Sequence, residues 1–256
     1  MPLSLLFSII QILCTLASGL IAVRLCRSRL FRRYPALFAY MVFRAADGIF
    51  PLVVKVSSIA YFWIWCAFCP VVWVLNILVV RELCRIVLER HKGLFTLGRW
   101  VMYGAVATSG VLSILSLLPR INSTLPARSR LIWYALAADR GINLGLVTFL
   151  LLMLFAVSRY PVRLSRNILL NAFVFTAYYL ANSLTSLIQA VFDMRVSRTV
   201  DAAMLMIDAV CMVAWFFCLT PAGELAHVEW MHFGAEYETR VLNRLDSLNR
   251  VLQRAA

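Results

Sequence analysis

The 256 residues are 62% hydrophobic and 14% charged, with a formal net charge of +13 and a mean hydropathy of +0.84. About a quarter of the residues in a water-soluble domain are charged, so this composition excludes one and makes lipid the solvent for most of the chain. The basic residues lie in short runs between apolar segments, not on one amphipathic face, which points to anionic lipid headgroups and away from nucleic acid.

Apolar stretches fall at about 3–23, 36–56, 59–81, 100–119, 131–157, 167–191 and 199–220, each near the roughly 20 residues that a helix needs to cross the hydrocarbon. The expected fold is an all-α membrane protein, a seven-transmembrane-helix bundle over residues 1–220, followed by a cytoplasmic tail over 221–256. The first stretch also allows a cleaved signal peptide, since it contains Ala17-Ser18-Gly19. It lacks a positive n-region, and cleavage would strand the arginines that follow.

Direction follows from the connections. Arg24, Arg27, Arg29, Arg32 and Arg33 lie in the first, Arg81, Arg85, Arg90, Lys92 and Arg99 in the third, and Arg159, Arg163 and Arg166 in the fifth. The alternate connections are poorer in Arg and Lys, so the positive-inside rule puts the N-terminus outside and the C-terminus in the cytoplasm of an inner-membrane, multi-pass protein. Tyr61, Phe62, Trp63 and Trp65 open the third span, Trp100 and Tyr103 the fourth, and Trp133 and Tyr134 the fifth, as interfacial aromatics should.

Several spans carry polar residues. Arg44 and Asp47 interrupt the second, three residues apart and able to pair on one helix face. The third carries Cys66-Ala67-Phe68-Cys69, the spacing of a dithiol redox pair without an outer-loop cysteine to relay electrons. The fourth has Ala105, Ser109 and Ser113 at four-residue spacing; the fifth has Gly141 and Gly145, a small-xxx-small pair suited to close packing at the bundle centre. Asp139 and Asn143 share a face of that fifth span, next to Arg140. The sixth presents Asn171, Tyr178, Asn182, Thr185 and Gln189 along one stripe, either a ladder of interhelical hydrogen bonds or the wall of a wet cavity. The seventh holds Asp201 and Asp208, and its lack of lysine excludes a retinal Schiff base.

A charge facing hydrocarbon costs roughly 2.5–3.5 kcal/mol on an insertion scale, so these groups should face one another or water. Arg44, Asp47, Asp139, Arg140, Asn143, Asn182 and Asp208 therefore form a candidate ligand or proton site on the second, fifth, sixth and seventh spans. Arg44 and Arg140 would bind an anion and Asp208 would carry a proton. A purely structural salt-bridge network is the alternative.

Beyond Pro221 the apolar residues Phe233, Tyr237, Val241, Leu245, Leu248 and Leu252 recur every three or four positions, as on an amphipathic helix. Such a helix can pair with a second copy, bind a cytoplasmic partner or lie on the inner leaflet. His227, Glu229 and His232 supply one Glu-x-x-His, where di-iron bundles use two, so neither a metal nor a cofactor is expected.

Phe31-Arg32-Arg33-Tyr34-Pro35-Ala36-Leu37-Phe38-Ala39-Tyr40, then Arg81-Glu82-Leu83-Cys84-Arg85 with Gly93-Leu94 and Leu97-Gly98-Arg99, and the tail Arg240-Val241-Leu242-Asn243-Arg244-Leu245-Asp246-Ser247-Leu248-Asn249 resemble seven-helix membrane proteins of soil bacteria of the acidobacterial kind. The resemblance implies topology and carries no assigned activity. Two function classes follow from the residues: a non-enzymatic sensory or scaffolding module, or a small-solute or proton-coupled transporter that uses the same cluster. Thiol redox through Cys66 and Cys69 comes third.

Overall fold

The computed structural model describes residues 3–54, 59–88, 92–117, 127–159, 164–192, 197–225 and 227–228. Seven long helices follow the apolar stretches: α1 Leu3–Arg27, α2 Pro35–Val53, α3 Ile59–Val87, α4 Lys92–Leu117, α5 Ala127–Arg159, α6 Arg166–Phe192 and α7 Ser197–Cys218. A five-residue helix, α8 Pro221–Leu225, comes next. Two short strands, β1 Leu164–Ser165 and β2 His227–Val228, pair antiparallel, Leu164 opposite Val228.

Among the described residues, five stretches are long and apolar enough to cross a membrane: Ser8–Arg27, Ile59–Val87, Arg128–Val157, Arg166–Gln189 and Thr199–Cys218. α2 and α4 fall outside that measure, which leaves a multi-pass helical protein as the secure description. The helices also overrun the apolar stretches. α3 continues through Arg81, Glu82 and Arg85, and α4 begins eight residues before Trp100, so most of the basic third connection is helical. Periodicity marks the apolar part of a helix, whereas backbone hydrogen bonding carries the helix on past it.

Consecutive helices pack side by side, α7 closes on α1, and α3 also packs on α5 and α6. The distribution of side chains is that of a protein in lipid. Leu13, Leu16, Leu20 and Val23 on α1 and Val210, Val213 and Phe217 on α7 are exposed at helical spacing, while Asn143, Asn167 and Asn171 are fully buried. With lipid outside, apolar contact does not hold helices together; close backbone approach and polar contacts must.

Both devices are present. On α4 and α5 the small residues meet one another: Ser109 Oγ donates to the Gly141 carbonyl at 2.7 Å, and a Cβ on Gly145 would lie 2.6 Å from Val106 Cα. This pair stands to one side, however, because α4 packs mainly on α5 and less on α3, not at the bundle centre. Gly48 plays the same part between α1 and α2, where a Cβ would collide with Thr15. The aromatic centre is Phe175, with Trp215 at 4.7 Å, Tyr179 at 5.6 Å and Tyr40 at 5.8 Å between ring centroids. Tyr179 donates to Asn76 Oδ1 on α3 and Trp215 to Asn171 Oδ1 on α6.

Of residues 221–256, only α8 and β2 are described; Tyr237, Val241, Leu245, Leu248 and Leu252 of the expected tail helix lie outside the described residues, as do Glu229 and His232.

Candidate functional site

Arg44 lies nine residues into α2, and Asp208 lies eleven residues after the start of α7 and ten before its end. At about 1.5 Å per residue, both are roughly 14–16 Å from their helix ends. There the helices leave no free backbone donor or acceptor, so only neighbouring side chains can serve a charge. Arg44 Nη2 meets Asp208 Oδ2 at 2.5 Å, with the two side chains 22% and 9% exposed. The guanidinium also sits 5.9 Å from the Tyr178 ring of α6. Asp208 Oδ1 and the Tyr40 hydroxyl are buried and make no hydrogen bond of ordinary geometry among the described residues, although the Cys14 thiol lies against Asp208 and Tyr178 against Tyr40. The thiols of Cys14 on α1 and Cys211 on α7 lie within reach of the field of this ion pair.

The expected local pair of Arg44 with Asp47 is not made. Arg44 reaches across to α7, and Asp47 stays half-buried, feeling the guanidinium only through its field. A three-residue step would lay the guanidinium along its own helix surface, whereas the extended side chain reaches the Asp208 carboxylate directly.

On α5, Asp139 accepts from the Trp73 indole of α3 at 3.0 Å and from Asn143 Nδ2 at 3.0 Å. No hydrogen bond or ion pair among the described residues joins Asp139 and Asn143 to the Arg44–Asp208 pair. Arg140 belongs to neither group. Its Nε donates to Ser113 Oγ at 2.8 Å and its Nη2 to the Ser113 carbonyl at 3.1 Å and to Ser116 Oγ, so it caps the carboxyl end of α4. A guanidinium there is favoured by the free carbonyls and the negative end of the helix dipole. Asn182 lies half-buried on α6 and makes no hydrogen bond among the described residues. Two other members of the sixth-span stripe bond across to α7: Asn171 accepts from Trp215, and Gln189 donates to Asp201 at 2.7 Å.

Cys66 and Cys69 are free, half-buried thiols one turn apart on α3, followed at once by Pro70. Among the described residues no three His, Cys, Asp or Glu side chains gather as a metal site.

A second polar cluster, absent from the sequence reading, closes one end of the bundle. Glu224 Oε2 on α8 accepts from the Tyr34 hydroxyl at 2.7 Å, from Asn167 Nδ2 at 3.3 Å and from Ser165 Oγ at 3.4 Å, while Oε1 pairs with Arg33 Nε at 3.2 Å. Burial, reinforced by the carboxylate, holds the Tyr34 hydroxyl well above its ordinary titration range, so it remains a donor. Asn167 also donates to the Thr220 carbonyl at 2.7 Å, pinning the turn between α7 and α8. Beside this, Glu82 on α3 accepts from the Ala36 and Leu37 amides at 3.0 and 3.2 Å, capping α2 from another helix. Glu224, a lone acid in Pro221-Ala222-Gly223-Glu224-Leu225, is the sequence signal for this end, whereas Glu82, between Arg81 and Leu83, reads as one partner of a local charge pair.

No protein family, curated protein or solved structure matches this chain. The resemblance to acidobacterial seven-helix proteins therefore rests on the quoted stretches alone.

Proposed function

We propose that this chain is an inner-membrane protein of seven spans, its N-terminus outside and its C-terminus in the cytoplasm, that acts as a non-enzymatic sensory or scaffolding module. The reading rests on the Arg44–Asp208 pair. It joins α2 to α7 at mid-depth yet leaves one carboxylate oxygen without a hydrogen bond of ordinary geometry, the kind of under-satisfied charge that a membrane interior keeps only at cost. An anion that competes for Arg44 would release α7, whose far end leads through the Glu224 cluster into residues 226–256. Within them the apolar positions from Phe233 to Leu252, read as an amphipathic helix, would report to a partner or to a second copy.

The transporter reading draws on the same under-satisfied atoms. Vesicle uptake separates the two: solute flux that disappears in Asp208→Asn would replace the sensor by a transporter. For the sensor, protease accessibility of residues 226–256 in vesicles should change in Arg44→Met and Asp208→Asn alike, and unchanged accessibility in both would sink it. Reporter fusions at the two termini test the topology, which requires them on opposite faces.

A further inference from the structure

Between α1 and α2 the chain turns in seven residues, 28–34, and the turn is closed on itself. The Ser28 amide donates to the Arg24 carbonyl at 2.9 Å and the Arg29 amide to Cys26 at 3.1 Å; the amides of Arg33 and Tyr34 both donate to Leu30 at 2.9 Å. Leu30 and Tyr34 are buried beneath it, and Tyr34 is tied to Glu224. Arg29 adopts φ 58°, ψ 11°, the left-handed region that glycine fills most easily, and is the one such non-glycine among the described residues. The outcome is a rigid turn with Arg27, Arg29 and Arg32 exposed and, among the described residues, without an ion pair. Arg33 alone is engaged, by Glu224.

We propose that Arg27, Arg29 and Arg32 form a clamp for the phosphate of an anionic phospholipid headgroup. The inference rests on the membrane placement proposed above and extends it from a diffuse attraction to a defined site. Guanidinium forks bind phosphate oxygens bidentately, and this turn carries three of them at positions 27, 29 and 32, exposed and without an ion pair among the described residues. The turn lies at a helix end, the level of lipid phosphates in a spanning bundle. Phe31, partly exposed and 6.0 Å from Phe38, sets apolar surface beside the charges where acyl chains begin. A zwitterionic headgroup carries its own ammonium, so the clamp selects headgroups with net negative charge.

The test reconstitutes the full chain in vesicles of phosphatidylcholine and phosphatidylglycerol and reads retained lipid by native mass spectrometry. Diffuse attraction to a lipid surface is worth about a factor of five per arginine, so the control R81Q/R85Q/R99Q, which removes the same charge from neighbouring helices, should lose phosphatidylglycerol affinity about a hundredfold. R27Q/R29Q/R32Q loses the bidentate contacts as well and should lose about tenfold more than the control. Replacing the three clamp arginines by lysine keeps the charge but not the fork, and about a tenfold loss is expected. Equal losses in the clamp and control variants, or lysine as good as arginine, would leave diffuse charge only and overturn the proposal. Inorganic phosphate that displaces the lipid would assign the site to a soluble anion and overturn it too. Size-exclusion profiles identify variants that fail to fold, in which case the lysine variant decides. Both leaflets carry the same lipids, so an error in topology leaves this result unaffected.

Discussion

Asp208 and Glu224 are carboxylates sixteen residues apart on the same α7–α8 run, and each meets an arginine from α2 or the turn before it. Their surroundings differ sharply. Glu224 uses both oxygens, drawing donors from Tyr34, Asn167, Ser165 and Arg33, whereas Asp208 has Arg44 and one oxygen without a hydrogen bond of ordinary geometry. The cause is position along the helices. At a bundle end, turns and first helical residues bring extra polar side chains; in mid-helix every backbone group is consumed, and only a neighbour's side chain can answer a charge. The Glu224 site is over-determined, while the Asp208 site is held by a single ion pair.

The largest expected effect breaks the mid-depth site. Arg44→Met leaves Asp208 buried without its partner and should destabilise the protein by about 3–5 kcal/mol in detergent unfolding. Arg44→Met with Asp208→Leu removes both charges and should recover most of that loss, because a well-packed apolar pair often matches a buried ion pair. A double variant as unstable as the single one would show that packing, not charge, is at stake. At the bundle end, Glu224→Ala should cost about 2–3 kcal/mol by stranding the Tyr34 hydroxyl and the Asn167 amide. Glu224→Gln keeps an acceptor and should fall within about 1 kcal/mol of wild type, since Arg33 is 44% exposed and its ion pair is weak. If Glu224→Gln proved as damaging as Glu224→Ala, the contrast between the two carboxylates would collapse.

The locations of the long helices were legible because apolar runs and arginine punctuation both register the lipid boundary, and Gly141, Gly145, Ser109 and Ser113 were legible as sites of close packing, though not as a contact of α4 with α5. Partner choice was not. The sequence marks Arg44 and Asp208 as buried charges, but their pairing depends on α2 and α7 both packing on α1, which no local spacing encodes. Arg140 was placed in the wrong company for a related reason: sequence shows its depth but not that its helix lies beside the end of α4. Trp73 was passed over because an indole in an apolar run reads as lipid-facing until Asp139 is found beside it.

A steric control sharpens the comparison from outside it. Gly145→Ala places a Cβ against Val106 Cα and the Ser109 hydroxyl, at 2.6 Å from each, and overpacking of this kind should cost about 2 kcal/mol. Gly145 contacts neither carboxylate cluster, so its cost should add to that of Arg44→Met within about 0.5 kcal/mol. Marked non-additivity would mean that α4 and α5 feel the state of the Arg44–Asp208 pair, which the present geometry does not require.

The smallest effect has the opposite sign. Arg29 holds a left-handed conformation that costs an L-residue about 1–2 kcal/mol relative to the right-handed helix region. Glycine removes that cost but adds freedom to the unfolded chain, so Arg29→Gly should stabilise by less than about 1 kcal/mol. Its neighbour Arg32, in the 3-10 turn at an ordinary backbone angle, should lose stability or stay level on the same change. A gain at position 29 together with weakened lipid retention would mean that the turn keeps a guanidinium where its backbone favours none. No gain at 29 would show that the left-handed angle is relieved by its surroundings and would remove the strain argument from the clamp while leaving its charges in place.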